Sequence, residues 1–210
     1  MTHTKILTTE DPQAISIAVE TIKCGGTIAF PTDTVYGLAV DPFNTQALNR
    51  IYAIKERSIE KAIPVLIGDI QQIEMLVSEV IEPARKLADA FWPGPLTLIL
   101  PKAANIPDEL SPYPTIGIRM PKHEFTLRLL QATGPLATTS ANISGDSNPS
   151  TSKDVIEQIG GRIDLLIDGG KTPGAVPSTV VDLTGKSLKL LREGPISRSD
   201  LCSLLNEDIL

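Results

Sequence analysis

Three cations stand close together after the second predicted helix. Lys55, Arg57 and Lys61 fall within seven residues of one another. A guanidinium offers a planar fork of donors and an ammonium offers a point charge, and phosphate groups commonly receive both. The spacing would suit a phosphate site. Taken alone, the pattern favours the alternative, a solvated helix end, where cations interact favourably with the helix dipole.

Two segments rich in hydroxyl groups follow predicted strands. Residues 138–145 read TTSANISG, and residues 31–38 read PTDTVYGL, with three hydroxyls and one carboxylate. Neutral donors of this kind suit phosphate, ribose or a small polar ligand, and open α/β sheets bind ligands where strands end. The local pattern alone favours a capped turn for each segment, in which the same side chains satisfy backbone groups.

Two later segments add a hydroxyl cluster, PSTVVD at 177–182, and one more arginine, Arg192. The sequence contains neither G-x-x-x-x-G-K-[ST] nor G-x-G-x-x-G, so a nucleotide site must be built from dispersed residues. His3 and His123 have no companion residues for a zinc site or a Ser-His-Asp triad, and we interpret both as structural or surface residues.

The elements that position these segments alternate along the chain. Helix signals begin near residues 12, 44, 69, 82, 122 and 152. Short apolar runs predict strands at 27–30, 64–67, 96–100, 115–119, 136–139, 165–167, 179–183 and 188–191. A tight turn joins the last two strands, so we expect an antiparallel hairpin there. The pattern predicts an α/β (α+β-like) domain with a twisted mixed sheet flanked by helices.

The amino-acid composition indicates the general class of protein. The 210 residues are 41% hydrophobic, which is enough for one core of ordinary size. A net charge of −6 disfavours a module whose main task is to bind a nucleic-acid backbone. No apolar run approaches the roughly 18 residues that span a bilayer, and the N-terminus lacks a signal-peptide pattern. With isolated Cys24 and Cys202, these features predict a soluble cytoplasmic protein.

Taken together and in this order, the segments resemble the YrdC-like family of threonylcarbamoyl-AMP synthases, in its short, single-domain form. The resemblance covers about residues 10–195 and rests on GGTIAFPTDTVYGL, KERSIEK, FWPGPLTLIL, IGIRMP, TTSANISG, DGG, PSTVVDL and LREG. The departures are local. Ser58 and Ala62 stand where the family commonly has proline, and Leu66 stands where it often has histidine.

The resemblance implies a YrdC-like fold with a large concave pocket, in a catalytic domain at 8–197 followed by a C-terminal tail at 198–210. The implied activity is that of a nucleotidyltransferase, L-threonylcarbamoyladenylate synthase. This enzyme makes threonylcarbamoyl-AMP from L-threonine, bicarbonate and ATP and releases pyrophosphate. The product serves N6-threonylcarbamoyladenosine modification of tRNAs that read codons starting with A. It would pass to threonylcarbamoyl-transfer enzymes, with a weak contact to tRNA and none to a membrane.

The family pattern also implies the site residues. The residues implied for catalysis are Lys55 and Arg57. The residues implied for ATP are Arg57, Lys61, Thr115, Ser140, Asn142, Asn148 and Arg192. Those implied for L-threonine are Thr32, Thr34, Tyr36, Arg119, Thr138 and Ser178. Mg²⁺ would be held through the phosphates of ATP and not by side chains.

Three other functions stay open at this point. The first is a carbamoyl-adenylate-forming domain like that of hydrogenase maturation proteins, which sits inside much larger chains. The second is an RNA-binding module with a basic concave face, which the acidic balance disfavours. The third is a paralogue without threonine activation, which the intact K-x-R and S-x-N segments disfavour.

Overall fold

A computed structural model describes residues 3–173, 176–185, 187–206 and 209–210. Within these ranges ten strands form one sheet. Their bounds are β1 Lys5–Thr8, β2 Ile28–Phe30, β3 Gly37–Val40, β4 Val65–Leu66, β5 Leu96–Pro101, β6 Thr115–Arg119, β7 Leu136–Ser140, β8 Leu165–Asp168, β9 Thr179–Asp182 and β10 Lys189–Arg192.

Six α-helices accompany the sheet within the same ranges. Their bounds are α1 Ala14–Lys23, α2 Thr45–Lys55, α3 Glu82–Phe91, α4 Glu124–Thr133, α5 Ser152–Ile159 and α6 Arg198–Leu205. Side chains stabilise several of their first turns. The Asn44 side chain accepts from the Ala47 N–H at 3.0 Å, and Thr151 and Asp154 form a reciprocal capping box. These local bonds fix where α2 and α5 begin.

The sheet is mixed, with strand order β1-β8-β2-β3-β7-β4-β6-β5-β9-β10. Four neighbouring pairs are parallel: β1–β8, β2–β8, β4–β6 and β5–β9. The other five pairs are antiparallel. The pair β9–β10 is the antiparallel hairpin expected from the sequence. The predictions of a mixed sheet and of this hairpin are confirmed.

The alternation of side chains along each strand divides the core in two. One face of the sheet packs with α2, α3, α5 and α6 in a large cluster that includes Leu38, Val65, Leu98, Ile118 and Val181. On the other face, α1 and α4 cover a smaller cluster built mainly on β2, β8 and their neighbours. The smaller cluster extends to Leu136 of β7 and Leu66 of β4. Beyond it, the same face of the described sheet carries polar strand residues, among them Thr97, Arg119 and Thr138.

The structure differs from the sequence-based prediction in four places. The strands β1 and β3 were not predicted. The segment after Asp69 is a 3₁₀ helix at Ile70–Met75, capped by the Asp69 side chain. Residues 198–205 form α6, a helix that was not predicted, and its Leu201 and Leu205 are buried in the large cluster. The division into a domain at 8–197 and a C-terminal tail at 198–210 stays a prediction.

The last two residues lie against the outer edge of β10. The Leu210 N–H donates to the Leu188 carbonyl at 2.9 Å, and the Leu190 N–H donates to the Leu210 carbonyl at 2.7 Å. Ile209 is buried, and its carbonyl accepts from Arg198 of α6. This terminal segment therefore adds a short stretch of backbone hydrogen bonds to the edge of the sheet. Among the described helices, none has the length and apolar content needed to cross a membrane.

Candidate functional site

A cavity of about 410 Å³ lies on the face of the sheet that carries these polar strand residues. This volume is in the range of small-molecule sites. The lining combines three arginines with hydroxyl, amide and small apolar groups. Its residues are Thr32, Thr34, Val35, Gly37, Arg57, Ala62, Pro64, Leu66, Thr97, Ile99, Gly117, Arg119, Thr138, Thr139, Ser140, Asn148, Pro177, Ser178, Val180 and Arg192.

Two glycines make room for the cavity in the strands that cross it. A Cβ on Gly37 would lie 2.7 Å from Cγ2 of Thr138 on the neighbouring strand, closer than real Cβ atoms approach. A Cβ on Gly117 would lie 3.3 Å from Cγ2 of Thr97. The absent side chains let the hydroxyl-bearing residues of β5 and β7 form the floor of the cavity.

Arg119, at the end of β6, forms one end of the site. Its Nε donates to the Gly94 carbonyl at 3.1 Å, Nη1 to Oγ1 of Thr34 at 3.2 Å, and Nη2 to Oδ1 of Asp33 at 2.5 Å. Only 9% of the Arg119 side chain and 13% of the Asp33 side chain are exposed. A guanidinium has five N–H donors. Three are engaged here, so two are left for a ligand in the cavity.

The loop between β2 and β3 is held from both sides. Arg119 binds Asp33 and Thr34 from the sheet, while Oγ1 of Thr126 in α4 donates to the Pro31 carbonyl at 2.5 Å. Inside the loop the hydroxyls of Thr32 and Thr34 lie 3.0 Å apart. These bonds fix small polar groups at the Arg119 end of the cavity.

A second arginine enters from the loop that follows α2. Helix α2 ends at Lys55, and Glu56 caps it in the left-handed backbone conformation (φ 53°), so the chain turns directly before Arg57. Arg57 then donates from Nε to the Lys61 carbonyl at 3.3 Å and from Nη2 to the Ala62 carbonyl at 3.0 Å. The guanidinium therefore holds its own loop and lines the cavity.

The third arginine comes from the last strand. A register irregularity between Leu190 and Arg192 shifts the end of β10, as a bulge re-aims a side chain. Nε and Nη2 of Arg192 donate to the carbonyl and to Oγ of Ser178, at 2.9 and 3.2 Å. Oγ of Ser178 lies 2.8 Å from Oγ1 of Thr97. Arg192 is thereby fixed next to the hydroxyl groups of β5 and β9.

The charge in the cavity is positive and incompletely compensated. No carboxylate belongs to the described lining. In the described part of the chain, Arg57 and Arg192 donate to carbonyl or hydroxyl oxygens and have no acidic side chain within salt-bridge distance, whereas Arg119 is paired with Asp33. Burial lowers the pKa of Arg57, and burial together with the charge of Arg119 lowers that of Arg192. A bound anion would offset this cost of burial.

Lys55 lies behind the cavity wall. The side chain is 1% exposed, and Nζ donates to the carbonyl of Ser140, to the carbonyl of Asn142 at 2.6 Å and to Oδ1 of Asn142 at 3.1 Å. Burial, and then the charge of Arg57, lower the pKa of Lys55 to about 7, while the three oxygens favour the protonated form. Lys55 joins the end of α2 to the loop after β7.

Asn142 and Tyr36 also serve neighbouring loops. Oδ1 of Asn142 accepts from Oγ of Ser140 at 2.5 Å, and its amide donates to the Asp146 carbonyl at 2.8 Å. Tyr36 is fully buried, and its hydroxyl donates to the Gly170 carbonyl at 2.7 Å. Burial raises the pKa of Tyr36 to about 12. Both side chains shape the loops beside the cavity.

The structure brings together nine of the fourteen residues implied by the family pattern. The nine that line the cavity are Thr32, Thr34, Arg57, Arg119, Thr138, Ser140, Asn148, Ser178 and Arg192. The five outside the lining are Lys55, Asn142 and Tyr36, which bind the loops described above, and Lys61 and Thr115. Lys61 is exposed after the α2 loop, and Thr115 lies at the far end of β6. The roles of all fourteen stay predictions.

Other lining residues were not predicted as site residues. Thr97 and Ile99 of β5, Gly117 of β6 and Val180 of β9 belong to the floor. Each of these residues lies two positions from another lining residue in its strand, or opposite one in a neighbouring strand. Because alternate residues of a strand share a face, this alternation could have identified them from the sequence. Two of the three departures from the family pattern, Ala62 and Leu66, also line the cavity.

The chain is similar to several known proteins. A model of the family Sua5_yciO_yrdC, described as Telomere recombination, matches residues 20–194. Threonylcarbamoyl-AMP synthase of Pyrococcus abyssi is 40% identical over 195 residues, which make up 92% of this chain and 57% of that protein. Threonylcarbamoyl-AMP synthase of Vibrio cholerae is 34% identical over 181 residues, covering 84% of this chain and 95% of that protein.

Among solved structures, P. abyssi Sua5 complexed with L-threonine superposes with a TM-score of 0.91 at 37% identity. The match covers 100% of this chain and 62% of that one. The chain thus spans a little under two thirds of the length of this relative. The eight sequence segments, the mixed sheet and the match over residues 20–194 lead to one conclusion: the chain belongs to the Sua5/YciO/YrdC family.

Proposed function

We propose that this chain is a nucleotidyltransferase, L-threonylcarbamoyladenylate synthase, which makes threonylcarbamoyl-AMP from L-threonine, bicarbonate and ATP. The observation that carries the proposal is the charge pattern of the cavity. Arg119 is buried and paired with Asp33, while Arg57 is half-buried, Arg192 is more exposed, and neither has an acidic partner among the described residues. One end therefore suits a ligand without net charge, and the other suits a polyanion.

The Arg119 end is assigned to threonine. Two N–H groups of Arg119 remain for the carboxylate, and Thr32 and Thr34 lie beside them. Thr138, Ser178 and the more distant Tyr36 complete the set that we propose for this substrate. The names of the relatives support the assignment, since P. abyssi Sua5 is known in complex with L-threonine.

The other end is assigned to ATP. Arg57 and Arg192 would bind the phosphates, with Ser140 and Asn148 beside them in the cavity wall. Lys61, Thr115 and Asn142 belong to the same proposal, although they lie outside the lining. The described residues contain no cluster of acidic, histidine or cysteine side chains that fits a resident metal ion. Mg²⁺ would accompany the nucleotide on phosphate oxygens, where it neutralises charge.

The reaction needs no covalent intermediate with the protein. The threonine amine forms a bond to the carbon of bicarbonate and water leaves, which gives N-carboxy-threonine. A carbamate oxygen then attacks the α-phosphorus of ATP, and the bond to the β-phosphate breaks with release of pyrophosphate. Held guanidinium groups would position the phosphates and stabilise the charge that develops on them.

The direct test is an incubation with ATP, bicarbonate and labelled threonine. We expect an acid-labile labelled adenylate and one pyrophosphate for each molecule formed, both dependent on all three substrates. Adding tRNA and the transfer enzymes that act later should then move the label to tRNA. Pyrophosphate release that does not depend on threonine and bicarbonate would contradict the proposal.

The cellular setting is part of the same proposal. The product would serve N6-threonylcarbamoyladenosine formation in tRNAs that read codons starting with A, in the cytoplasm. Free Cys24 and Cys202 are compatible with a reducing compartment. The arginines lie in a cavity and not along an exposed basic stripe, so a catalytic pocket accounts for them better than an RNA-binding face.

A further inference from the structure

We propose that Asp33 determines the selection of a zwitterionic amino acid over a simple carboxylate at the Arg119 end of the cavity. The inference rests on the proposed function and adds a residue to it. Asp33 lies in the loop after β2, next to lining residues Thr32 and Thr34, and its carboxylate touches Arg119 at 2.5 Å. The family pattern implies no role for Asp33.

The first step is the charge on Arg119. Alone, a buried guanidinium attracts any small anion, whatever else the anion carries. Asp33 cancels that charge while leaving two N–H groups for a carboxylate. The arginine then contributes directed hydrogen bonds and little net attraction. Arg57 and Arg192 have no such partner among the described side chains, so they keep their net attraction for anions.

The second step is the position of Arg192. Arg192 lines the same cavity as Arg119, and burial together with the charge of Arg119 lowers the pKa of Arg192. Without Asp33, Arg119 and Arg192 would form a continuous cationic wall, which would draw phosphate or a carboxylate into the amino-acid end. Asp33 therefore divides the cavity into a cationic end and a neutral end.

The third step concerns the amine. A zwitterion brings a carboxylate and an ammonium together and has no net charge. The pair Arg119–Asp33 has the complementary pattern, a cation that lines the cavity and an anion held 2.5 Å from it, just outside the lining, with 13% of the Asp33 side chain exposed. A carboxylate without an amine brings no positive group to face Asp33, so only its like charge meets the neutral pair. Like-charge juxtaposition of this kind disfavours the wrong ligand.

The experiment compares L-threonine with 3-hydroxybutyrate, which lacks the amino group, by calorimetric titration without ATP. The wild-type protein should prefer threonine at least about tenfold, as expected for one unpaired charge at close range. Asp33→Asn should reduce this preference by about tenfold or more, mainly through tighter binding of 3-hydroxybutyrate. Asp33→Glu keeps the charge and should restore most of the preference.

The matched control is Asp164→Asn, which removes the aspartate of another arginine pair, Arg50–Asp164 at 2.9 Å, away from the cavity. It should lower stability and leave the preference unchanged. An unchanged preference in Asp33→Asn, or an equal loss for both ligands, would overturn the inference. If Asp33→Asn does not fold, equal binding of both ligands by the wild type overturns it. Failure of the wild type to bind threonine would instead overturn the proposed function.

Discussion

At the scale of single residues, Arg57 has two tasks, since it holds the carbonyls of Lys61 and Ala62 and also lines the cavity. We expect Arg57→Ala to abolish adenylate formation. Loss of a charge-assisted contact to phosphate costs about 2–4 kcal/mol of transition-state stabilisation. Pyrophosphate release under saturating substrates measures the effect.

The control for Arg57→Ala is Arg162→Ala. Arg162 pairs with Glu56 at 2.8 Å, at the same end of α2, and does not line the cavity. Its removal should leave turnover near normal. Near-normal turnover in a well-folded Arg57→Ala protein would contradict the phosphate role.

Arg119 allows a different prediction, because its contacts belong to the other end of the cavity. Lysine cannot reproduce a planar two-point contact with a carboxylate. Arg119→Lys should therefore weaken threonine binding strongly, while ATP binding measured without threonine changes little. Calorimetric titration of each ligand separates the two effects. Equal losses for both ligands would indicate that Arg119 only holds the loop at Asp33 and Thr34.

Nine of the residues that the family pattern implied line the cavity, and their roles stay predictions. Arg57 and Arg119 were found because they stand in short, recognisable segments, and both line the cavity. The position of Lys55 could not be predicted, because an ammonium directed at phosphate and one buried against backbone carbonyls look the same in sequence. The partner of Arg119 was equally hidden, since Asp33 is 86 positions away in the chain.

At the scale of elements, Lys55 links helix α2 to the loop after β7. Lys55→Met removes the donor for the carbonyls of Ser140 and Asn142, and unsatisfied buried acceptors cost about 1–3 kcal/mol each. We expect lower thermal stability and weaker ATP binding, since Ser140 is displaced from the cavity wall. Unchanged ATP affinity would mean that the loop keeps its position without the lysine.

The same lysine predicts a pH dependence. Its pKa is about 7 in the folded chain and near the ordinary value of 10.5 when unfolded. Between these values the unfolded chain binds more protons, so this group makes the free energy of unfolding rise with pH. Denaturant titrations from pH 7 to 9.5 should show a steeper rise for the wild type than for Lys55→Met. Parallel slopes would mean that the three acceptor oxygens keep Lys55 protonated.

The elements themselves were largely readable from sequence. Apolar runs of β-branched and aliphatic residues gave eight of the ten strands in the described sheet. The strand β3 was not predicted because Gly37–Val40 directly follows a hydroxyl-rich loop in the sequence. The strand β1 has mostly exposed side chains, so no apolar run marks it. Helix α6 was overlooked although Ser197 and Asp200 form a capping box at its start.

At the scale of the whole molecule, the cavity connects distant parts of the chain, from Thr32 to Arg192. A ligand that binds only the folded state stabilises all of it. At about 100 times its dissociation constant, ATP should raise the free energy of unfolding by about 2.7 kcal/mol. Thermal unfolding with and without nucleotide measures this. Arg57→Ala should lose the shift at the same ATP concentration and Arg162→Ala should keep it; equal shifts would exclude a phosphate contact by Arg57.

The pairing of residues 209–210 with β10 has a consequence for self-association. A bare strand edge presents free N–H and C=O groups and acts as a template for strands of other molecules. Here the segment occupies part of that edge, and its own Leu210 and the neighbouring Leu191 are 64% and 56% exposed. Displacing it would uncover an apolar, hydrogen-bonding edge on the strand that carries Arg192. The two residues therefore protect part of this edge against pairing with strands of other molecules.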